Sequence, residues 1–348
     1  MRGMSEIMTE RIVLAARPEG MPKPSDFRLE RAVLPAVPAG HVALRALYLS
    51  LDPYMRGRMD DRKSYAKPTP VGGVMEGECV AEVIGSESPD LRPGDVVLAR
   101  IGWQSHAVVP AVGLHRIDPD LAPLTTRLGV LGMPGFTAYG GLKVIGQPKP
   151  GETVVVAAAS GPVGSLVGQL ARQWGCRAVG IAGGEDKRRY VVDDLGFDAA
   201  VDHRAPDFPQ RLAAACPQGV DIYFENVAGA VWQAVLPLFN LHARVPVSGL
   251  IAQYNGTEPG AGYPLEPTMR EILNKRLRIQ GFINFDFHEA HHAEFLRSVS
   301  VGVRSGAIRY REDVTDGLSN APAAFIDMLA GKNFGKALVK VAEPALRR

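Results

Sequence analysis

The sequence contains 348 residues, of which 46% are hydrophobic, and it carries a formal net charge of +2. Its charges are spread along the chain without basic blocks, which gives no support for nucleic-acid binding. The longest apolar runs have the length of strands, so we expect no membrane span. This length and composition allow two domains with hydrophobic cores.

The three cysteines, Cys79, Cys176 and Cys216, lie far apart, and no signal-peptide pattern precedes them. This spacing argues against a disulfide framework and favours a reducing compartment, so we expect a cytoplasmic protein. We expect the segment Met1–Thr9 to be a loose lead-in.

The chain up to residue 130 contains short strand-like runs that are interrupted by proline and glycine. Predicted strands cover Arg11–Ala15, His41–Ser50 and Gly77–Ile84, and the segment Leu91–Leu98 is predicted as a turn that leads into another strand. Several short strands with turn signals predict a compact, barrel-like β domain.

From residue 131 onward, strands and helices alternate. The predicted strands are 153–159, 177–182, Ala199–Val201, Asp221–Asn226, Arg244–Val247 and Arg278–Phe282. The predicted helices are Met133–Lys143, Ser165–Trp174, Asp186–Leu195, Gly229–Phe239 and His291–Ser305. Six strands in this rhythm predict an α/β fold with a doubly wound parallel sheet.

The last part of the chain contains a predicted helix, Ala321–Ala330, and a predicted strand, Lys336–Val341. We expect this strand to return to the N-terminal domain. The predicted domains are therefore 1–130 together with 311–348, and 131–310.

One strand–turn–helix–strand unit, Glu152–Arg189, carries the strongest functional signal. Its turn contains Gly161, Pro162, Val163 and Gly164 directly before a helix, where backbone amides and the helix dipole favour a pyrophosphate. This pattern predicts a dinucleotide site. In the alternative interpretation the glycines serve only helix packing.

The second strand of this unit ends at Gly183 and Gly184, where an NAD site usually has an acidic residue. The small glycines leave room for a 2′-phosphate, and Lys187 can reach it, which favours NADPH. In the alternative, Glu185 or Asp186 turns inward and the basic residues only begin a solvated helix.

Several motifs share one resemblance. They are Leu51–Met59, Gly102–Gln104, Met133–Tyr139, Asn226–Gly229, Ala252–Asn255 and Gly331–Lys336. Together they resemble the zinc-independent, NADPH-dependent 2-alkenal and 2-alkenone reductases of the medium-chain dehydrogenase/reductase superfamily. The branch includes leukotriene/prostaglandin, plant double-bond and bacterial curcumin reductases. The resemblance extends from about Arg11 to Val341.

This resemblance implies a six-stranded Rossmann domain and a GroES-like β-barrel-type domain. It assigns the pyrophosphate to Gly161–Gly164 and the 2′-phosphate region to Gly184 and Lys187, with His203 where relatives often have Tyr. The implied contacts to the rest of the cofactor are Met133, Thr137, Asn226, Ser248, Gly249, Tyr254, Phe282, Ile283, Asn284 and Asn333.

The same comparison predicts no metal site. Zinc-dependent relatives have a Gly-His-Glu ligand string, where this chain has Gly73-Val74-Met75-Glu76. Three scattered cysteines cannot complete a tetrahedral zinc site with sensible spacing.

Reduction of an activated C=C bond needs no Lewis acid. Hydride attacks the β-carbon of an enone, and hydrogen-bond donors stabilise the enolate oxygen. Tyr54 is the first candidate donor and Tyr254 the second, and each has the alternative of packing with its hydroxyl bonded to backbone. We expect Arg56 and Arg58 to hold the loop through Asp52 or backbone.

The leading hypothesis is an NADPH-dependent reductase of apolar α,β-unsaturated ketones and aldehydes. A quinone oxidoreductase on the same scaffold and a non-catalytic NADPH-binding protein are the alternatives. A homodimer is expected, because a sheet edge such as Arg278–Phe285 can pair with its twin.

Overall fold

The computed structural model describes residues 6–118, 122–256 and 265–344. The strands are β1 Met8–Leu14, β2 Phe27–Val33, β3 His41–Ser50, β4 Cys79–Ser86, β5 Val96–Ala99, β6 His106–Pro110, β7 His115–Arg116, β8 Thr153–Ala157, β9 Arg177–Ile181, β10 Ala199–Val201, β11 Val220–Phe224, β12 Phe239–Val247, β13 Arg278–Gly281, β14 Glu312–Asp316 and β15 Lys336–Lys340. The helices are α1 Tyr54–Arg58, α2 Met133–Gly140, α3 Pro162–Gln173, α4 Glu185–Arg189, α5 Phe208–Ala215, α6 Gly229–Val235, α7 Leu265–Lys275, α8 His288–Ser305 and α9 Ala321–Leu329.

These elements form two units, one of Met1–Leu128 with Glu312–Arg348 and one of Gly129–Arg311. The second unit contains a six-stranded sheet in the order β10-β9-β8-β11-β12-β13, and every pairing in it is parallel. All five residues of β8 are buried, as expected for a strand covered on both faces. The predicted doubly wound Rossmann sheet is confirmed.

The first unit contains a mostly antiparallel sheet in the order β14-β15-β3-β4-β5-β7, with β6 paired to β3, and a separate β1-β2 hairpin. The last strand pairs with β3 in the register Leu338 to Ser50, so its predicted return to the N-terminal domain is confirmed. Trp103 lies at the centre of the core, stacked on Phe27 and edge-on to Phe325.

Some predicted boundaries were wrong. Strand β1 includes Met8 and Thr9, which were expected in a loose lead-in; residues 1–5 of that segment lie outside the described residues. The helix predicted over Gly229–Phe239 ends at Val235, and Phe239 begins β12. Pro237 lies in the intervening 3₁₀ turn, where its missing amide and fixed φ do not support an α-helix.

Other elements were not predicted, among them α5, α7, β2, β6 and β14. Helices α2 and α4 also end earlier than expected, because the chain changes to a wider π-type turn after each of them. None of the helices in the described ranges has the length and apolar character needed to cross a membrane.

Candidate active site

The glycine turn follows β8 directly and opens α3. Ala158 has a φ of 53°, and the Gly161 amide donates to the Ala158 carbonyl at 2.9 Å, which reverses the chain within a few residues. A Cβ on Gly164 would lie 2.4 Å from that carbonyl oxygen, so a side chain is excluded there. Because no side chain projects at Gly164, a ligand can approach the backbone at the start of α3 closely.

The N-terminus of α3 has the properties of an anion site. The helix contains 12 residues, and no side chain of the described residues caps it. The first amides of an α-helix lack partners within the helix, so those of Val163 and Gly164 are available to a ligand. This turn fits the pyrophosphate of a dinucleotide.

Loops after three neighbouring strands are linked at the carboxyl edge of the sheet. The Asn226 side-chain amide donates to the Ala157 carbonyl at 2.9 Å, and the Ser248 hydroxyl bonds Asn226 Oδ1 at 2.5 Å. The Phe282 amide donates to the Val247 carbonyl at 3.4 Å. Asn226, Ser248 and Phe282, all predicted cofactor contacts, are thus brought to one edge, where doubly wound sheets bind ligands.

Glu225 was not predicted, although it directly precedes Asn226. Its buried carboxylate accepts the Tyr223 hydroxyl at 2.9 Å and the amides of Val227 and Ala228 at 2.6 and 2.8 Å. Burial raises the pKa of Glu225, whereas these hydrogen bonds oppose the rise. Ala228 has a φ of 71°, an unfavourable conformation that the carboxylate holds in place.

The acidic residues after β9 do not turn inward. Glu185 pairs with Arg188, and Asp186 pairs with Arg189 at 2.5 Å, in both cases within α4. The Glu185 and Asp186 side chains are exposed. This arrangement contradicts the alternative in which one of them occupies the ribose position.

Basic side chains gather near Gly183 instead. A Cβ on Gly183 would lie 2.8 Å from His203 Cε1 and 2.8 Å from Arg204 Nε. The positive charge of Lys187 is close enough to His203 to influence its protonation. Asp202 Oδ2 accepts the Gly184 amide at 3.0 Å, which fixes this turn. Arg204 was not predicted, although it follows His203 directly.

The protonation of this cluster responds to a phosphate. Desolvation lowers the pKa of His203, and the charges of Arg204 and Lys187 lower it further, while Asp202 opposes them. His203 is therefore largely neutral at pH 7 without a ligand. A phosphate dianion would offset the neighbouring cations and favour the protonated ring.

Tyr54 is the first residue of α1, directly after the segment that leaves β3. Burial raises the pKa of its hydroxyl, and the nearby Asp52 carboxylate raises it further, whereas Arg100 opposes them. The phenol therefore stays protonated and can donate. No hydrogen bond joins its hydroxyl to another described residue, in contrast to the alternative of a backbone-bonded Tyr54.

The two arginines of the Tyr54 motif hold their loop, as expected, but not through Asp52. Arg56 binds Asp60 at 2.7 Å and the Gly20 carbonyl at 3.0 Å. Arg58 donates to the Ala66 carbonyl at 3.4 Å. The Asp52 carboxylate instead pairs with Lys336 from the last strand.

Tyr254 follows a short 3₁₀ turn after β12. Its hydroxyl accepts the Leu250 amide at 3.3 Å and lies 3.3 Å from the position of a Cβ on Gly249. The hydroxyl is thus bonded to backbone, as in the alternative interpretation.

The remaining predicted contacts occupy helix starts and loops. Met133 begins α2, and the Thr137 hydroxyl donates to its carbonyl at 2.8 Å. Asn284 follows Ile283 and begins a 3₁₀ turn. Asn333 belongs to the other unit, where its amide donates to the Gly335 carbonyl at 2.8 Å.

No group of three or more His, Cys, Asp or Glu side chains that could hold a metal occurs within residues 6–118, 122–256 and 265–344. The three cysteines are free and buried. Burial raises the pKa of Cys79, and it raises the pKa of Cys176 and of Cys216 to about 11. These thiols are therefore poor nucleophiles at neutral pH.

Comparison with known proteins identifies the family of the chain. Residues 10–117 match the family described as the N-terminal domain of oxidoreductase, and residues 162–298 match the zinc-binding dehydrogenase family. The NADPH-dependent curcumin reductase of Escherichia coli is 50% identical over 98% of this chain and 99% of its own. The NADP⁺-dependent 2-alkenal reductase of Nicotiana tabacum is 38% identical over 97% and 98%.

A crystal structure of CurA from Vibrio vulnificus in complex with NADPH is also similar. It superposes with a TM-score of 0.92 at 48% identity, covering 96% of this chain and all of the other. The resemblance seen in the motifs is confirmed. The chain belongs to the NADPH-dependent 2-alkenal and 2-alkenone reductase branch of the medium-chain dehydrogenase/reductases.

Proposed function

We propose that this protein uses NADPH to reduce the carbon–carbon double bond of apolar α,β-unsaturated ketones and aldehydes. The observation that carries the proposal is the Tyr54 phenol. It is kept protonated by its surroundings, and its hydroxyl makes no hydrogen bond to other described residues. Such a group can donate a hydrogen bond to a substrate carbonyl oxygen.

The cofactor is held by backbone at one end and by cations at the other. The amides of Val163 and Gly164 bind the pyrophosphate, and Lys187, His203 and Arg204 surround the 2′-phosphate. Asn226, Ser248 and Phe282, which are linked at the carboxyl edge, support proposed nicotinamide contacts. When bound, NADPH supplies the hydride that adds to the β-carbon of the substrate.

Tyr54 acts on the opposite end of the conjugated system. Its hydroxyl donates to the carbonyl oxygen, where negative charge grows as the double bond is reduced. The raised pKa of the half-buried phenol keeps the donor hydrogen on Tyr54 at neutral pH. Tyr254 is the second proposed donor, and its hydroxyl is positioned beside Leu250 and Gly249 in the loop after β12. Water then protonates the α-carbon.

The test compares electron acceptors and cofactors. NADPH absorbance is followed with an aliphatic enone, an alkenal and a quinone, and NADPH is then replaced by NADH. We expect turnover with the enone and alkenal, saturated carbonyl products by NMR, and a preference for NADPH. Faster reduction of the quinone would favour the quinone oxidoreductase alternative. NADPH binding without any turnover would favour a non-catalytic protein.

The metal-free assignment is tested on the same preparation. We expect no stoichiometric zinc by metal analysis and unchanged enone turnover after dialysis against a chelator. Stoichiometric zinc that is lost together with activity would contradict the assignment.

We also propose that the protein is a homodimer that pairs through β13. Within the described residues this strand has a partner only on its β12 side, and all four of its residues are exposed. Next to it in sequence, α7 presents an apolar stripe in which Leu265, Met269 and Leu273 are 69%, 54% and 75% exposed. Light scattering is expected to give twice the chain mass. Met269→Lys should shift the measured mass toward that of a single chain.

The domain roles and the location are proposals as well. Residues 131–310 bind NADPH, and residues 1–130 with 311–348 supply Tyr54 and the substrate contacts. Three free, buried cysteines suit a reducing cytoplasm. Cell fractionation should place the protein in the cytosolic fraction, and recovery from an exported or membrane fraction would contradict this.

A further inference from the structure

Lys336 is a buried cation at the start of the last strand, and it contacts the segment that carries Tyr54. Its Nζ donates to the Leu51 carbonyl at 2.6 Å and to Asp52 Oδ1 at 2.8 Å. Asp52 is only 4% exposed and Lys336 only 2%. The other carboxylate oxygen of Asp52 accepts the Ser50 hydroxyl. These bonds tie β15 to the short connection between β3 and α1.

Stability alone does not account for such a pair. Removing two charges from water is costly, and a hydrophobic pair of similar volume is often at least as stable. The pair does, however, fix local geometry, because Asp52 also accepts the Met55 amide through its backbone oxygen at 3.1 Å. Tyr54 lies between these two residues. The ion pair therefore fixes Asp52, the residue to which the Met55 amide is bonded across the turn that carries Tyr54.

Lys336 also sets the charge near the phenol. The Asp52 carboxylate is close enough to Tyr54 to influence its hydroxyl, second only to the effect of burial on its pKa. An uncompensated carboxylate there would repel negative charge growing on a substrate oxygen. The Lys336 ammonium compensates it through direct contact. Its charge also opposes the burial that raises the pKa values of Glu78 and Glu312.

We propose that Lys336 is a positioning residue for Tyr54. It holds the Leu51–Asp52 segment and neutralises Asp52, so that the phenol meets the substrate oxygen in fixed geometry without a neighbouring net negative charge. The inference rests on the proposed function, because it concerns the same carbonyl polarisation. A lysine with a purely structural role would reduce turnover equally whether or not Tyr54 has its hydroxyl.

The test is a double-mutant cycle on kcat with an aliphatic enone. Lys336→Met should lower kcat about 10- to 100-fold in the wild-type background, since small displacements of a catalytic group have effects of this size. In the Tyr54→Phe background it should lower kcat less than about threefold, because the two residues act together. The Kd for 2′,5′-ADP, which probes only the adenosine half of the cofactor site, should not change.

Lys340→Met is the matched control, because Lys340 lies on the same strand and pairs with Glu343 at the surface. It should leave kcat within about twofold of wild type. Equal losses from Lys336→Met in both backgrounds, or no loss in the wild-type background, overturn the inference.

If Lys336→Met does not fold, the pair Asp52→Asn with Lys336→Met replaces it in both backgrounds, since it leaves no unpaired buried charge. The same comparison of kcat losses then decides. Absence of enone turnover by the wild type would instead refute the proposed function. If the wild type turns over normally but the kcat losses in the cycle are additive, only the proposed role of Lys336 is refuted.

Discussion

The two units carry candidate functional residues of different kinds. In the unit Gly129–Arg311, the glycine turn is made of backbone, and its key contacts join residues a few positions apart, such as Ala158 and Gly164. In the other unit, Tyr54 depends on side chains, and the Asp52–Lys336 contact spans 284 positions. A local motif therefore reveals the first part, whereas only the folded chain reveals the second.

The largest expected effect tests the side-chain part. Tyr54→Phe should lower kcat for enone reduction about 10²- to 10³-fold, the usual result of losing one donor to a developing oxyanion. The Kd for NADPH, measured by fluorescence titration, should stay the same. Tyr48→Phe is a suitable control, because Tyr48 lies on β3 in the same unit. Wild-type turnover in Tyr54→Phe would remove this residue from the mechanism.

The next effect tests the cations of the nucleotide unit. Lys187→Met should weaken NADPH binding about 10- to 100-fold, because a charge-assisted phosphate contact contributes about 1.5–3 kcal/mol. NADH binding should not change, since NADH lacks the 2′-phosphate. Lys149→Met, at an exposed position of the same unit, should leave both affinities unchanged. Equal weakening of NADPH and NADH would show that Lys187 does not read the phosphate.

A third experiment tests the backbone part directly. Gly164→Ala should raise the Kd for NADPH about tenfold or more, because the new Cβ would lie 2.4 Å from the Ala158 oxygen and displace the turn. Gly168→Ala is the control, since its Cβ would meet the Phe197 ring at 1.8 Å, one helical turn further on. It should lower the free energy of unfolding by about 1–3 kcal/mol. If both variants lose NADPH affinity equally in their folded state, packing alone explains the glycines.

The smallest effect concerns pH. The pKa of His203 is depressed in the free protein, and a bound 2′-phosphate should raise it. Binding then takes up a proton, so NADPH affinity relative to NADH should rise a few-fold as pH falls from about 8 to about 6.5. His203→Gln should reduce this dependence. An unchanged pH profile in His203→Gln would place the titrating group elsewhere, for example on the phosphate itself.

The sequence predicted the elements whose signals are local. Strand β3 was predicted with both boundaries correct, and the six strands of the parallel sheet followed from apolar runs between turn residues. Helix α7 was missed although it has an apolar stripe, of which Leu265, Met269 and Leu273 are exposed and Ile272 packs against the core. The wide turns after α2 and α4 have no distinct residue pattern.

The same limit applies to the site. Glu225 and Arg204 each lie directly beside a predicted residue, so their positions in sequence were a usable signal. No signal in the sequence indicated the contact between Lys336 and Asp52, because this contact depends on the register in which β15 joins β3. A pairing between strands at opposite ends of a chain is decided by packing, which a single sequence does not display.

The discontinuous origin of the first unit has a consequence for biosynthesis. During translation, Gly129–Arg311 emerges as one uninterrupted stretch and can fold while the ribosome is still at work. The N-terminal sheet, although made first, leaves the Tyr48–Ser50 end of β3 without its partner until β15 has been synthesised. That exposed strand edge is a place where nascent chains can associate wrongly. The unit whose synthesis begins earliest is therefore the one whose sheet is completed last.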